Sequence, residues 1–180
     1  WRARLKRGAP VKPIELPASG NREHVIVAGY GRAGGAVTGA LTQAEIPFVV
    51  VELNHALMTD VTAAGLPGVW GDIARAEIMS AARIDRARML LLTMPDQNTV
   101  HLAIHHAKLL KPELTVIARA AREHHLEELR NLGVAAAVQP EFEGGVEMVR
   151  QALMRWGHAE ESTLLILDHL RKDLYKGSVS

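Results

Sequence analysis

From His24 onward, short apolar runs alternate with longer segments in which apolar residues recur at helical spacing. Several runs, such as VIV, VVV and MLLL, are apolar on successive residues, which is typical of strands covered on both faces. The predicted strands are residues 24–28, 48–52, 68–71, 89–93, 115–118 and 135–138. The predicted helices are residues 33–44, 56–64, 76–82, 98–110 and 123–132, with Gly133 as a C-cap for the last. This order predicts an α/β fold with a doubly wound, six-stranded parallel sheet and helices on both faces.

Two further helices are predicted after the sixth strand, over residues 142–154 and 162–175, with Gly157 between them. Their apolar stripes are Phe142, Val146, Val149 and Leu153 on the first helix and Leu164, Ile166, Leu167, Leu170 and Leu174 on the second. The stripes fit either packing on the chain's own sheet or packing against a partner chain. Because the sheet's core is complete without them, we expect a homodimer formed through these C-terminal helices.

The chain divides into a basic N-terminal segment over residues 1–22, a sheet domain over 23–140 and the C-terminal helices over 141–180. Residues 1–12 hold five basic side chains and no acidic one, and Pro10, Pro13 and Pro17 then disfavour regular structure. This segment fits a solvated linker, or a segment just cytoplasmic of a membrane span, where Lys and Arg accumulate. Because the first residue is Trp1, we expect the chain to be part of a longer protein.

Composition limits the class of protein. With 180 residues, 48% of them hydrophobic, the chain can bury one core but hardly two large ones. No apolar run approaches the roughly 20 residues that cross a bilayer, and the absence of cysteine excludes disulfides and thiolate metal sites. The formal net charge of +1 argues against general nucleic-acid binding. These features favour a single soluble, cytoplasmic domain.

The stretch HVIVAGYGRAGGAV contains a G-x-G-x-x-G motif between a predicted strand and a predicted helix. In such a motif Gly29 permits a tight turn, Gly31 lets the backbone approach a pyrophosphate, and Gly34 lets the helix pack near the strand. The helix N-terminus offers free N–H groups to phosphates, and Arg32 adds a positive charge. The candidate phosphate-binding residues are Gly29, Tyr30, Gly31, Arg32, Ala33 and Gly34.

Glu52 strengthens the nucleotide hypothesis. It ends the second predicted strand about 20 residues after the glycine loop, where a carboxylate can accept from both hydroxyls of an adenosine ribose. The same carboxylate repels a 2′-phosphate, so NADP is disfavoured. The residues predict a site for a nucleotide such as NAD(H), with a purely structural glycine turn as the alternative.

Ligands of doubly wound sheets lie outside the C-terminal strand ends, which adds further candidates. These are Leu53, Gly71, Asp72, Ile73, Thr93, Met94 and Arg119. Asp72 fits either a contact to the adenine or ribose, or an N-cap for the next helix. Arg119 fits either a phosphate contact or a surface ion pair with Glu123.

The residues do not suggest catalysis. A dehydrogenase of this type adds a second domain that binds substrate, and here the sheet takes up nearly the whole chain. His101 and His105 form an i, i+4 pair on one predicted helix, but no carboxylate near them in sequence completes a metal site. We therefore expect neither a catalytic residue nor a metal ligand.

Four stretches together resemble a family: HVIVAGYGRAGGAV, VVVELN, VWGDIARAEIMSAARIDRARMLLLTMPD and TVIARA. They are similar to the regulator of K+ conductance (RCK), or TrkA N-terminal, domain. The likeness is strongest to the cytosolic domain of Kef-type monovalent cation/proton antiporters, and it covers residues 24–153. The pairing of Gly71 and Asp72 with the later AARIDRAR is more specific than the glycine motif.

The resemblance implies a Rossmann-like domain that binds NAD(H), AMP, ADP or ATP and gates an attached membrane transport domain on the same or a partner chain. It implies phosphate at the glycine loop and Arg119, ribose at Glu52, and adenine near Gly71, Asp72 and Ile73. The family usually has Asp where this chain has Glu52. Its dimer exchanges the helix after the sixth strand, here residues 142–154. The alternatives are a dehydrogenase fragment and a stand-alone adenine-nucleotide sensor.

Overall fold

The computed structural model describes residues 23–175, so the predictions for residues 1–22 and 176–180 lie outside the described part. The strands are β1 (His24–Ala28), β2 (Phe48–Glu52), β3 (Gly68–Trp70), β4 (Ala87–Leu92), β5 (Thr115–Arg119) and β6 (Ala136–Val138). The helices are α1 (Arg32–Gln43), α2 (His55–Ala63), α3 (Ala76–Ala81), α4 (Gln97–Leu110), α5 (His124–Asn131), α6 (Pro140–Trp156) and α7 (Glu160–Tyr175).

The strands form one sheet in the order β3-β2-β1-β4-β5-β6, and every neighbouring pair is parallel. This confirms the predicted doubly wound, Rossmann-like fold with additional C-terminal helices. The strand order reverses at β1, which pairs with β2 on one side and β4 on the other. Ligands of such sheets bind where the order reverses, outside the C-terminal strand ends. The topology therefore predicts a ligand site in the region beyond Ala28 and Leu92.

Alternating strand residues build a core on each face of the sheet. On one face, Ile26, Val49 and Leu90 are buried with side chains of α3, α4 and α5. On the other, Val27 and Val50 are buried with side chains of α1 and α2. Burial on both faces explains why the strands are apolar on successive residues.

The boundaries of several elements depart from the predictions. A short 3₁₀ helix, Ile84–Arg86, precedes β4, and β4 itself begins at Ala87 rather than at Met89. The helix α6 begins earlier than predicted, because Pro140 occupies its first turn, where proline's fixed φ suits the helix. Gly133 at φ +74 follows α5 and Gly157 at φ +98 ends α6, both in the left-handed conformation that favours glycine.

The last two helices form a hairpin beside the edge strand β6. Val146 of α6 and Leu167 of α7 are buried, and Arg171 donates to Glu143 across the hairpin at 2.9 Å. Among the described residues of the hairpin, those that pack against the core of the sheet are Leu174 and Tyr175, at the end of α7. The hairpin therefore packs mainly on itself. Among its exposed residues are eight large apolar side chains: Met148, Val149, Met154, Trp156, Leu164, Leu165, Ile166 and Leu170.

Candidate functional site

A cavity of about 600 Å³ opens at the C-terminal edge of the sheet, where the strand order reverses. Twelve of the candidate residues line it: Gly29, Gly31, Arg32, Ala33, Glu52, Leu53, Gly71, Asp72, Ile73, Thr93, Met94 and Arg119. Tyr30 and Gly34 lie outside its wall. The topology thus brings residues from the ends of β1, β2, β3, β4 and β5 to a single concave surface.

The three motif glycines have different physical reasons to be glycine. Gly29 has φ +96, and a Cβ there would lie 2.8 Å from the Thr93 hydroxyl oxygen. A Cβ on Gly34 would lie 2.0 Å from the carbonyl oxygen of Gly29, so this position sets how closely α1 approaches β1. Gly31 has an ordinary φ of −71, and a Cβ there would meet nothing within 4 Å. Gly31 is therefore the motif glycine whose surroundings leave open space for a ligand.

The N-terminus of α1 carries no side-chain cap. Gly31 occupies the N-cap position, and the first turn holds no acidic residue. Helix N-termini leave backbone N–H groups without helical partners and carry a partial positive charge. Arg32, which makes no ion pair with the described residues, adds a full positive charge at the same place. This end of the cavity is suited to an anion.

Thr93 supports the glycine loop rather than offering a free hydroxyl to a ligand. Its Oγ1 lies 3.0 Å from the carbonyl oxygens of both Ala28 and Gly29 and donates a shared hydrogen bond to them. Its backbone N–H also donates to Ala28 at 2.9 Å. These bonds fix the end of β1 to the end of β4.

The Glu52 carboxylate is buried, with 8% of the residue exposed, and it joins two loops. The backbone N–H of Tyr30 donates to its Oε2 at 2.6 Å, and that of Asn54 donates to its Oε1 at 2.7 Å. A carboxylate oxygen has two lone pairs and can accept two hydrogen bonds. Each Glu52 oxygen can therefore accept a further bond from a ligand hydroxyl in the cavity. Tyr30 thus contributes its backbone to the site, while its side chain packs against the core beneath α1 and α2.

The loop after β3 closes the opposite end of the cavity. Gly71 has φ +155, and a Cβ there would lie 2.3 Å from the Ile78 Cδ1 atom. Asp72 accepts from the backbone N–H of Ala74 at 2.9 Å through Oδ1, so it caps the turn that leads to α3. The alternative that Asp72 is the N-cap of α3 is wrong, because Arg75 holds that position.

Sequence reasoning missed several residues of the cavity wall, among them Asn54, Leu57, Pro95, Asp96 and Thr99. Asn54 caps α2 by accepting from the backbone N–H groups of Ala56 and Leu57. Asp96 caps α4 by accepting from Thr99 at 2.8 Å, and hydrogen bonds from Thr99 lower the pKa of its carboxyl. An Asn or Asp just before a helical segment is a recognisable signal of a helix N-cap. Since these helices follow strands directly, their N-caps lie at the C-terminal strand ends, in the cavity wall.

Arg119 lines the cavity from the end of β5. Its Nη2 donates to Oε1 of Glu141 at 2.6 Å, so the predicted alternative of an ion pair with Glu123 is wrong. Glu123 precedes α5, whereas Glu141 lies in the first turn of α6. The Arg119 side chain is 22% exposed, and its Nε is buried without a hydrogen-bond partner among the described residues.

The histidines of α4 form no metal site with the rest of the described chain. His101 Nε2 lies 3.7 Å from Oε2 of Glu128, a carboxylate from α5 that the sequence spacing did not indicate. His106 Nδ1 lies 2.5 Å from the carbonyl oxygen of Ala74. Within residues 23–175, no group of three or more His, Asp or Glu side chains is arranged to hold a metal ion.

The sequence profile of the TrkA-N domain matches residues 25–140, which include every element from the glycine loop to β6. The chain belongs to the TrkA-N domain family. The glutathione-regulated potassium-efflux system protein KefC of Salmonella typhi is 31% identical to this TrkA-N chain over 133 residues. These residues make up 74% of this chain and 22% of KefC, so the chain spans about a fifth of that relative's length.

Two solved structures share the TrkA-N fold of this chain. The TrkA-N domain of the inner membrane protein YbaL from Escherichia coli has 28% identity and a TM-score of 0.67, over 72% of this chain and 96% of that one. The Kef C-terminal domain of Shewanella denitrificans, solved in an AMP-bound form, has 23% identity and a TM-score of 0.74, over 86% and 96%. Among the described residues of this TrkA-N chain, no helix is both long and apolar enough to cross a membrane.

Proposed function

We propose that this TrkA-N domain binds NAD(H) or an adenine nucleotide in the cavity at the C-terminal edge of its sheet. The observation that carries the proposal is one cavity with an uncapped helix N-terminus beside the open Gly31 and the buried Glu52 carboxylate. An anion-binding end and a hydroxyl-binding end within one cavity suit phosphate joined to ribose. The AMP in the Kef C-terminal domain of similar fold supports the same ligand class.

In the proposed complex, the phosphate lies against the N–H groups of the first turn of α1, with Arg32 and Arg119 nearby. The ribose hydroxyls donate to Glu52 beside its two backbone bonds. The base lies towards Gly71, Asp72 and Ile73 in the loop after β3. AMP, ADP, ATP and NAD(H) share these groups, while the 2′-phosphate of NADP would meet the Glu52 carboxylate.

We infer that the domain binds nucleotide without turning it over, on the cytosolic side of a membrane, and that occupancy gates potassium or another monovalent cation through an attached transport domain. The membership in the TrkA-N family and the likeness to KefC support this role. The carboxylate side chains of the cavity wall are Glu52, Asp72 and Asp96, and each already accepts at least one backbone hydrogen bond. This supports a structural and ligand-binding use of these carboxylates.

Glu52→Ala is expected to weaken binding of NAD by about 1.5–3 kcal/mol, because charge-assisted bonds to both ribose hydroxyls are lost. The preference for NAD over NADP should shrink as well, because the repulsion of the 2′-phosphate is removed with the carboxylate. Calorimetric titration measures both effects. Glu113→Ala is the matched control, since Glu113 is exposed just before β5, at the opposite edge of the sheet. An unchanged NAD affinity in Glu52→Ala would show that Glu52 does not hold the ribose.

We further propose that the domain is a homodimer formed through α6 and α7. The eight large apolar side chains named above for the hairpin stay exposed within residues 23–175, and burying four or five of them per chain is worth on the order of 5–10 kcal/mol before association costs. An apolar groove lined by Val37, Leu91, Ile117 and Val138 also stands open on the α1 face of the sheet. The hairpin and this groove together offer a second copy of the chain one protruding and one concave apolar surface.

The dimer is tested by sedimentation velocity at tens of micromolar, where the parent protein should sediment as a dimer. Leu165→Glu places a charge on the outer face of α7, at a residue that is 72% exposed, and should shift the protein to monomer. Leu109→Glu is the control, since Leu109 is 69% exposed on α4, and should leave the dimer intact. A parent protein that sediments only as monomer would contradict the proposal.

A further inference from the structure

Arg119 belongs to two parts of the molecule at once. It ends β5 in the wall of the cavity, and its guanidinium donates to Glu141 at 2.6 Å. Glu141 lies in the first turn of α6, the helix that opens the C-terminal hairpin. One side chain therefore connects the cavity with the element that carries the exposed apolar surface.

The guanidinium of Arg119 is only partly satisfied. It has five N–H donors, yet within residues 23–175 its single hydrogen-bonded partner is Glu141, and its Nε is buried without an acceptor. The backbone position of Arg119 is fixed, because Gln97 donates to its carbonyl oxygen at 3.2 Å from the start of α4. An arginine whose backbone is held in place and whose guanidinium has spare donors is suited to bind a second anion from the cavity wall.

Glu141 is a replaceable partner. Its side chain is 59% exposed, so water can solvate the carboxylate if Arg119 leaves it. Its place in the first turn of α6 also stabilises it through the positive end of the helix dipole, independently of Arg119. The terminal phosphate of AMP offers the planar guanidinium a bidentate acceptor with more negative charge at neutral pH than the carboxylate has.

We propose that the ligand's phosphate and Glu141 compete for Arg119, so that a phosphate-bearing ligand releases the first turn of α6. This inference rests on the proposed function and adds to it a route from the cavity to the hairpin. Because coupling between two binding events is reciprocal, Glu141 lowers the affinity for phosphate-bearing ligands by as much as the ligand weakens the Arg119–Glu141 pair. A ligand without phosphate takes no part in the competition.

The competition is tested by calorimetric titration of the full chain with AMP and with adenosine. Glu141→Gln should bind AMP about three- to tenfold more tightly than the parent, because the neutral amide competes weakly for Arg119. Its affinity for adenosine should match the parent's. Glu143→Gln is the matched control, since Glu143 lies on the same helix but pairs with Arg171 across the hairpin, and it should leave AMP affinity unchanged.

A second measurement follows the release of α6 itself. In hydrogen exchange followed by mass spectrometry, AMP should speed the exchange of amides in residues 140–145 of the parent, and adenosine should not. In Glu141→Gln, AMP should cause no further change there, since the pair is already broken.

The outcomes distinguish this inference from the proposed function. If the parent binds AMP but Glu141→Gln binds it no more tightly, the competition is overturned while the nucleotide site stands. If AMP leaves exchange in residues 140–145 unchanged, the coupling to α6 is overturned. If none of the proteins binds AMP or NAD, the proposed function fails and this inference fails with it.

Discussion

Replacing Gly31 with valine is expected to lower the affinity for AMP and NAD by at least about 100-fold, or about 2.7 kcal/mol, while the domain stays folded. The backbone at Gly31 has φ −71 and ψ −164, an extended conformation that valine adopts without strain. Apart from Gly31 itself and its two neighbours in the chain, no described residue has an atom within 4 Å of the added Cβ, so the fold tolerates it. In the cavity, however, the branched side chain would occupy the space in which we propose that the phosphate meets the backbone.

Calorimetry measures the loss, and thermal unfolding checks the fold. Gly39→Val is the control, because Gly39 lies exposed on the same helix, outside the cavity wall, with open space around its own Cβ position. Gly39→Val should bind nucleotide like the parent. Unchanged AMP and NAD affinity in a folded Gly31→Val protein would mean that the phosphate lies elsewhere.

Gly34→Ala is expected to reduce the free energy of unfolding by about 3 kcal/mol or more, which is the upper end of the effects of overpacking. The new methyl group would stand 2.0 Å from the carbonyl oxygen of Gly29 and 3.1 Å from the Thr93 hydroxyl. The nearest obstacle is backbone, so no flexible side chain can turn away to relieve it. The first turn of α1 must instead move away from β1. This movement also disturbs the proposed phosphate site.

Urea unfolding measures this effect, with Gly39→Ala as the control. Gly39 is helical and exposed, and alanine there should stabilise the protein by about 0.5–1 kcal/mol, because it restricts the unfolded chain. A Gly34→Ala protein as stable as the parent would show that α1 does not approach β1 as closely as described.

The apolar pattern was sufficient to predict six parallel strands that alternate with helices along the chain, because both faces of the central strands are buried. A run such as VVV at positions 49–51 is typical of a strand that is buried on both faces. The glycine motif and Glu52 were sufficient to locate the cavity, since parallel topology places all C-terminal strand ends at one edge.

Contacts between residues far apart in sequence could not be predicted in this way. The sequence suggested Glu123 as the partner of Arg119 because it is near in the chain, whereas the fold brings Glu141 to it from the start of α6. The two backbone bonds that occupy Glu52 depend on loop geometry that no periodicity encodes. An amphipathic stripe likewise shows that a helix has an apolar face, but not whether Val149 will be covered by the same chain.

The most direct test of the account is a calorimetric titration of the parent protein with AMP, NAD and NADP. We expect AMP and NAD each to saturate one site per chain, and NADP to bind at least about tenfold more weakly, because its 2′-phosphate meets the Glu52 carboxylate. Failure of both AMP and NAD to bind at millimolar concentration, or tighter binding of NADP than of NAD, would contradict the assignment of this cavity as a nucleotide site.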